Sequence, residues 1–183
     1  MAPRALGVAM NVGFDASHLP TNARVVIHSA AYGRDSNPEL LEAARRGLPV
    51  MTYPEALGAL SRRSDSSGIA GVHGKTTTTG MAGSVISALG LPATVLAGSA
   101  ASSFGGRSTM IRGDRYFVAE TCEYRRHFLS FSPSRIVLTS IESDHQDYYP
   151  TYEDIYAAFL DYLRLLPEGG ELIYCADDLG ASS

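Results

Sequence analysis

A chain of 183 residues that is 45% hydrophobic and 19% charged, with a net charge of −4, can bury a core in one large or two small domains. Its mild acidity and scattered arginines exclude the basic footprint of a nucleic-acid binder, and no apolar run approaches the roughly 20 residues of a membrane helix. With no signal-peptide core at its N-terminus, the chain is expected to be cytoplasmic and free of the membrane.

Residues 1–23 show little pattern beyond apolar pieces around Val8 and Val12. Residues 24–31 (Arg-Val-Val-Ile-His-Ser-Ala-Ala) form a β-branched run with the look of a buried parallel strand. Asn37-Pro38-Glu39 opens a helix that reaches Arg46, with proline in its first turn and Gly47 past its end. A short strand over 48–52 and a helix over 54–60 continue a β-α-β-α rhythm, that of a doubly wound sheet. The polar, serine-rich residues 62–67 are the predicted boundary, which gives domains of 1–63 and 64–183.

A glycine-rich loop over 68–75 then leads into a helix over 76–89, closed by Gly90 and Pro92. A short strand is expected over 93–97, and the Gly, Ser and Ala of 98–109 read as a flexible or ligand-contacting loop. Strands follow over 115–121 and 134–141. An amphipathic helix starts near Thr151, which can cap it, with Ile155, Phe159, Tyr162, Leu163 and Leu166 at helical spacing. A last strand is expected over 171–176. Cys122 and Cys175 fall in segments patterned as buried strands, so free thiols are expected rather than a disulfide or a metal pair.

The stretch Gly71-Val72-His73-Gly74-Lys75-Thr76-Thr77-Thr78-Thr79 is the chemical centre of the sequence. Glycines let backbone N–H groups converge on phosphate oxygens, and the following helix aims its positive end at the same point. Lysine then neutralises outer phosphates while the first threonine reaches a magnesium ion. The common phosphate loop has a glycine where this chain has Ile69, so the match is to a shorter variant. Lys75 is the only lysine among fifteen Lys and Arg residues. A chain that otherwise uses arginine, yet keeps an ammonium here, points to a site where a planar guanidinium does not substitute. The plain alternative is a surface Gly-Lys turn.

Two acidic clusters follow predicted strands, at the strand ends where parallel sheets place ligands. The first is Glu120-Thr121-Cys122-Glu123 and the second is Glu142-Ser143-Asp144-His145-Gln146-Asp147. A carboxylate beside apolar strands needs a cation, and magnesium bound to ATP is one. Glu120 is the stronger candidate because it directly follows an apolar run, whereas Glu123 could face solvent or pair with Arg125 or Arg126. His145 has three readings, as metal ligand, general base or turn residue; a lone histidine in an acidic turn is more often structural. His73, inside the loop with no core to fill, reads as a ligand contact.

With these residues in place, the chain resembles the Mur ligases over most of its length. The resemblance rests on the loop at 71–79, on Ala119-Glu120-x-x-Glu123, and on the run from Ile141 to Asp147. Ile27-His28-Ser29-Ala30-Ala31 and Asn37-Pro38-Glu39-Leu40 resemble the later part of the family's UDP-binding domain. His73 favours the members that join L-alanine, or a preformed murein tripeptide, to UDP-N-acetylmuramate. Val72, Thr121-Cys122 and Ser140 depart from the family's usual threonine, Ala-Asp and asparagine. No second lysine is present for the carbamylated lysine that some members use.

The resemblance implies an α/β chain: part of a Rossmann-like domain followed by a P-loop NTPase-like central domain with a parallel sheet, as in an internal fragment of a longer enzyme. It implies ATP-dependent amide bond formation through an acyl phosphate, with ATP and Mg2+ as cofactors and UDP-N-acetylmuramate and L-alanine as substrates. In that scheme Gly71, Val72, His73, Gly74, Lys75, Thr76 and Thr77 hold the ATP phosphates, and Thr76, Glu120 and His145 hold magnesium. Lys75, His73, Glu120 and His145 are its catalytic residues, while Ser29 and Asn37 lie near the UDP-sugar. The rival class is a nucleotide-binding module without ligase activity, indifferent to UDP-N-acetylmuramate.

Overall fold

The computed structural model describes residues 7–183; the part of the expected first domain that falls on residues 1–6 lies outside the described residues. The chain divides into two compact units, one up to Ala56 and the other Leu57–Ser183. In the first, β1 (Val26–His28) and β2 (Val50–Thr52) pair in parallel, and α1 (Pro38–Arg45) connects them. Asn37 caps α1: its side-chain oxygen accepts from the N–H groups of Glu39 and Leu40 at 2.9 and 3.2 Å. Pro38 sits in the first turn, where its missing N–H leaves nothing unpaired. The strand expected to be buried is not. Val25 and Ile27 are 45% and 52% exposed, because a β-branched run reads the same in sequence whether or not a second layer covers it.

α2 (Tyr53–Ser61) carries the division between the units. The second unit is built on a six-stranded sheet in the order β5-β4-β6-β3-β7-β8. Its strands are β3 (Asp65–Ala70), β4 (Ala93–Ala101), β5 (Arg107–Ile111), β6 (Tyr116–Glu120), β7 (Arg135–Leu138) and β8 (Glu171–Tyr174). All neighbours are parallel except β4 and β5. Helices cover both faces, as a parallel sheet requires. α3 (Lys75–Ala88) packs Ile86 toward Ile69, Val95, Phe104 and Val118, while α4 (Tyr152–Leu163) seats Ile155, Phe159 and Tyr162 against Phe128, Ile136 and Leu138. Phe128 stacks on Tyr162 at 4.5 Å between ring centroids.

α4 follows the spacing read from the sequence. Thr151 caps it in a reciprocal box: its hydroxyl accepts from the Asp154 N–H, and the Asp154 carboxylate accepts from the Thr151 N–H.

Three further expectations need correction. Residues 65–67 are not linker but the start of β3, with Ser66 and Ser67 buried. The Ser66 hydroxyl donates to the Ser132 carbonyl at 2.6 Å, and Ser67 Oγ accepts from Arg135 Nη1 at 3.1 Å, so their polarity is satisfied inside the sheet. Residues 98–109 are not one flexible loop: β4 runs on through Ala101, a 3-10 turn covers Ser102–Phe104, and β5 returns as an antiparallel edge. Cys122 and Cys175 are free but exposed, just past the ends of β6 and β8 rather than inside buried strands. Among the described residues, no helix is long and apolar enough to cross a membrane.

Candidate active site

Sheet order explains why distant motifs meet. β3 lies between β6 and β7, and all three run in one direction. The loop that leaves β3 therefore emerges between the acidic cluster that follows β6 and the one that follows β7. Gly71 turns with φ +135°, and a Cβ there would lie 2.1 Å from Thr139 Oγ1 and 2.8 Å from the Ser140 nitrogen. Only glycine lets the backbone pass so close to the end of β7. That end also holds the loop in place. The Val72 and His73 N–H groups donate to the Ser140 carbonyl and hydroxyl at 3.1 and 3.0 Å. The Thr139 hydroxyl is shared between the carbonyls of Ala70 and His73 at 3.1 and 2.5 Å.

Gly74, at φ +81°, is the N-cap of α3, and no side chain caps the helix. The first N–H groups of α3 and its positive end thus face the loop, an arrangement suited to anionic oxygens. Thr77 is exposed in that first turn, and the His73 side chain is 71% exposed with Nε2 4.0 Å from Glu142 Oε2.

Lys75 and Thr76, adjacent in the chain, reach two different carboxylates. Thr76 Oγ1 donates to Glu120 Oε2 at 2.9 Å, and the same oxygen accepts from the Gly98 N–H at 2.7 Å. A Cβ at residue 98 would meet the Glu120 carboxylate at 2.6 Å, so glycine is needed for this approach. Lys75 Nζ lies 3.1 and 2.9 Å from the two oxygens of Glu123, 3.2 Å from the Val72 carbonyl, and also donates to the Gly71 carbonyl. Glu123 is 2% exposed, a burial that an acid tolerates only with cationic partners.

His145, at φ 51°, also approaches Glu123. Its Nε2 lies 3.2 Å from Glu123 Oε1 and 3.8 Å from Asp144 Oδ2, and its ring packs on Tyr124 at 4.7 Å. One ligand atom from each of Glu123, Asp144 and His145 can be chosen so that all lie within 4.8 Å of one another. The Tyr149 hydroxyl donates to the Glu123 carbonyl at 2.6 Å, and burial pushes that phenol up to about 12.

The structure therefore brings Thr76 and Glu120 together, while it places Lys75 with Glu123 and His145 with Glu123 and Asp144. Glu123 neither faces solvent nor pairs with the arginines at 125 and 126. Both arginines adopt left-handed backbone, and Arg126 pairs with Asp161 instead. An alcohol and a carboxylate oxygen at Thr76 and Glu120 form a hard-oxygen set that fits magnesium. Ser29 is exposed and accepts from the Ala31 N–H, while the Asn37 side-chain oxygen is occupied by the cap of α1. Sequence reasoning missed Gly98 and Thr139 and discounted Glu123. For Glu123 the signals were its place just past a strand and its place in the Glu120-x-x-Glu123 motif.

Comparison with known proteins finds matches over nearly the whole chain. Residues 2–65 match the family described as Mur ligase family, catalytic domain, and residues 69–182 match the Mur ligase middle domain. UDP-N-acetylmuramate--L-alanine ligase of Treponema pallidum is 56% identical over 175 residues, covering 96% of this chain and 36% of the relative. The same-named protein of Borreliella burgdorferi is 42% identical over 165 residues, covering 90% of this chain and 35% of its own length. The chain thus spans about a third of the curated relatives it matches. Among solved structures, the UDP-N-acetylmuramate:L-alanyl-gamma-D-glutamyl-meso-diaminopimelate ligase from Neisseria meningitides aligns with TM-score 0.83 and 27% identity over 98% of this chain and 60% of its own. The UDP-N-acetylmuramate-alanine ligase from Thermotoga maritima aligns with TM-score 0.80 and 26% identity over 98% of this chain and 41% of its own. With both matched domains in order and the loop, strand-end acids and histidine assembled around the bare end of α3, the chain belongs to the Mur ligase family.

Proposed function

We propose that this chain supplies part of the UDP-sugar domain, residues 1–63, and part of the ATP-binding central domain, residues 64–183, of a cytoplasmic enzyme of peptidoglycan precursor synthesis. That enzyme joins L-alanine to UDP-N-acetylmuramate, driven by ATP. The observation that carries the reading is that Lys75 and Thr76, side by side at the start of α3, each reach a separate acid, one at the end of β6 and one just past it. This is the arrangement needed to hold phosphate and cation at one point.

The sugar carboxylate attacks the γ-phosphorus of ATP, ADP leaves, and an acyl phosphate forms. The amine of L-alanine then attacks the acyl carbon, phosphate leaves, the nitrogen gives up a proton, and an amide remains. Lys75 and the free N–H groups of α3 stabilise the negative oxygens of the transferring phosphoryl group. Val72, His73 and Gly74 shape the loop around it, with Thr139 and Ser140 fixing its path. Thr76 and Glu120 hold magnesium, which when bound neutralises phosphate charge. His145 lies beside Glu123, where it can bind a cation or carry a proton. Ser29 and Asn37 are assigned to the UDP-sugar end.

The likeness to the Neisseria structure supports a second reading, in which a murein peptide is the incoming amine. Phosphate release by the full-length protein, with ATP, UDP-N-acetylmuramate and either L-alanine or the tripeptide, separates the two. Release that depends on L-alanine supports the first reading. Release that ignores UDP-N-acetylmuramate contradicts both and indicates a nucleotide-binding module alone.

A further inference from the structure

We infer that Glu123 is a positioning residue that holds Lys75 back until nucleotide arrives and competes with nucleotide phosphates for it. The inference rests on the reading of Lys75 as the phosphate lysine. An ammonium has three protons to donate, and here its neighbours are the Gly71 and Val72 carbonyls and both oxygens of Glu123. No proton is left for a phosphate oxygen, so Lys75 must give up part of this set when nucleotide binds. The side chain that can yield is Glu123, because the two carbonyls belong to the loop itself.

Glu123 is built to stay in place while its partner changes. Its backbone carbonyl is fixed by the Tyr149 hydroxyl at 2.6 Å and the Arg126 N–H at 2.8 Å. Its carboxylate does not stand unpaired once Lys75 turns away, since Oε1 already lies 3.2 Å from His145 Nε2. Asp144 also approaches that imidazole nitrogen, at 3.8 Å. Glu120 takes no part in the exchange, being held by Thr76 and Gly98. The two acids of one short motif thus have separate tasks: Glu120 stays with the threonine, and Glu123 is released by the lysine.

The charge of Glu123 therefore opposes nucleotide binding, although removing an active-site acid is normally expected to harm a site. In the full-length protein, Glu123→Gln should tighten binding of ADP, measured by calorimetry, by about fivefold, the difference between a charged and a neutral hydrogen bond to the ammonium. Glu123→Asp, which keeps the charge, should bind ADP like wild type. Peptide-resolved acetylation gives a second readout on the unaltered protein. Lys75 should be modified slowly without nucleotide, its side chain being 13% exposed, and faster in Glu123→Gln. A folded Glu123→Gln protein that binds ADP no better than wild type would overturn the inference, as would rapid acetylation of Lys75 in the nucleotide-free wild type. Failure of the wild type itself to bind ADP would instead remove the phosphate-loop reading on which the inference stands.

Discussion

Thr76 Oγ1 and Gly98 N both donate to one oxygen of Glu120, at 2.9 and 2.7 Å, so the acid at the end of β6 is aimed by the first turn of α3 and by β4 together. Glu120→Ala should lower ATP-dependent phosphate release in the full-length protein by about 10²–10³-fold, the usual loss when one preorganised charge-stabilising group is removed. Melting temperature should change little. Thr76→Ala should act in the same direction and less than additively with Glu120→Ala, because each variant already breaks their shared contact.

Gly71 has no room for a side chain. Gly71→Ala places a Cβ 2.1 Å from Thr139 Oγ1 in a backbone region that L-residues rarely adopt. A loss of about 2 kcal/mol or more is expected from strain and overlap together, read as a lower urea midpoint. Gly90→Ala is the useful contrast: its φ of +63° is also left-handed, but a Cβ there would have no atom within 4 Å. It should cost about 1 kcal/mol and leave nucleotide binding intact.

Thr139 ties β7 to the loop through the carbonyls of Ala70 and His73. Thr139→Val keeps the shape and removes the donor. Nucleotide affinity should fall by about tenfold, equivalent to roughly 1.4 kcal/mol, while the circular dichroism spectrum stays unchanged.

The Tyr149 phenol, raised chiefly by burial to about 12, gives the fold a dependence on alkaline pH. A free tyrosine titrates near 10, so the unfolded chain loses this proton first. The contribution is fully present below about pH 10 and is lost as pH rises through about 12. Thermal melts of wild type should fall over that window, and Tyr149→Phe should flatten part of the fall. At neutral pH the same variant should cost about 1 kcal/mol for the lost bond to the buried Glu123 carbonyl.

Much of this site was legible because its residues obey local rules. The helical spacing of Ile155, Phe159 and Tyr162 and the cap at Thr151 marked out α4. The loop residues 71–76 and Glu120 declared themselves by composition and by position after an apolar strand. What was hidden depends on tertiary geometry. Glu123 follows β6 into an irregular turn where Arg125 and Arg126 are left-handed, so no periodicity told which way it points. Ser66 and Ser67 resemble a linker until Ser132 and Arg135 are brought beside them. Gly98 looked like part of a loose loop, and its small size proved to be what allows Glu120 to approach β4.

The most direct measurement is of product. Full-length protein should be incubated with Mg-ATP, UDP-N-acetylmuramate and L-alanine, and the sugar nucleotide followed by mass spectrometry. Accumulation of UDP-N-acetylmuramoyl-L-alanine with wild type, and its loss with Lys75→Met, is the expected result. Hydrolysis of ATP with no new amide, or undiminished amide from Lys75→Met, would contradict the assignment of Lys75 to a ligase site.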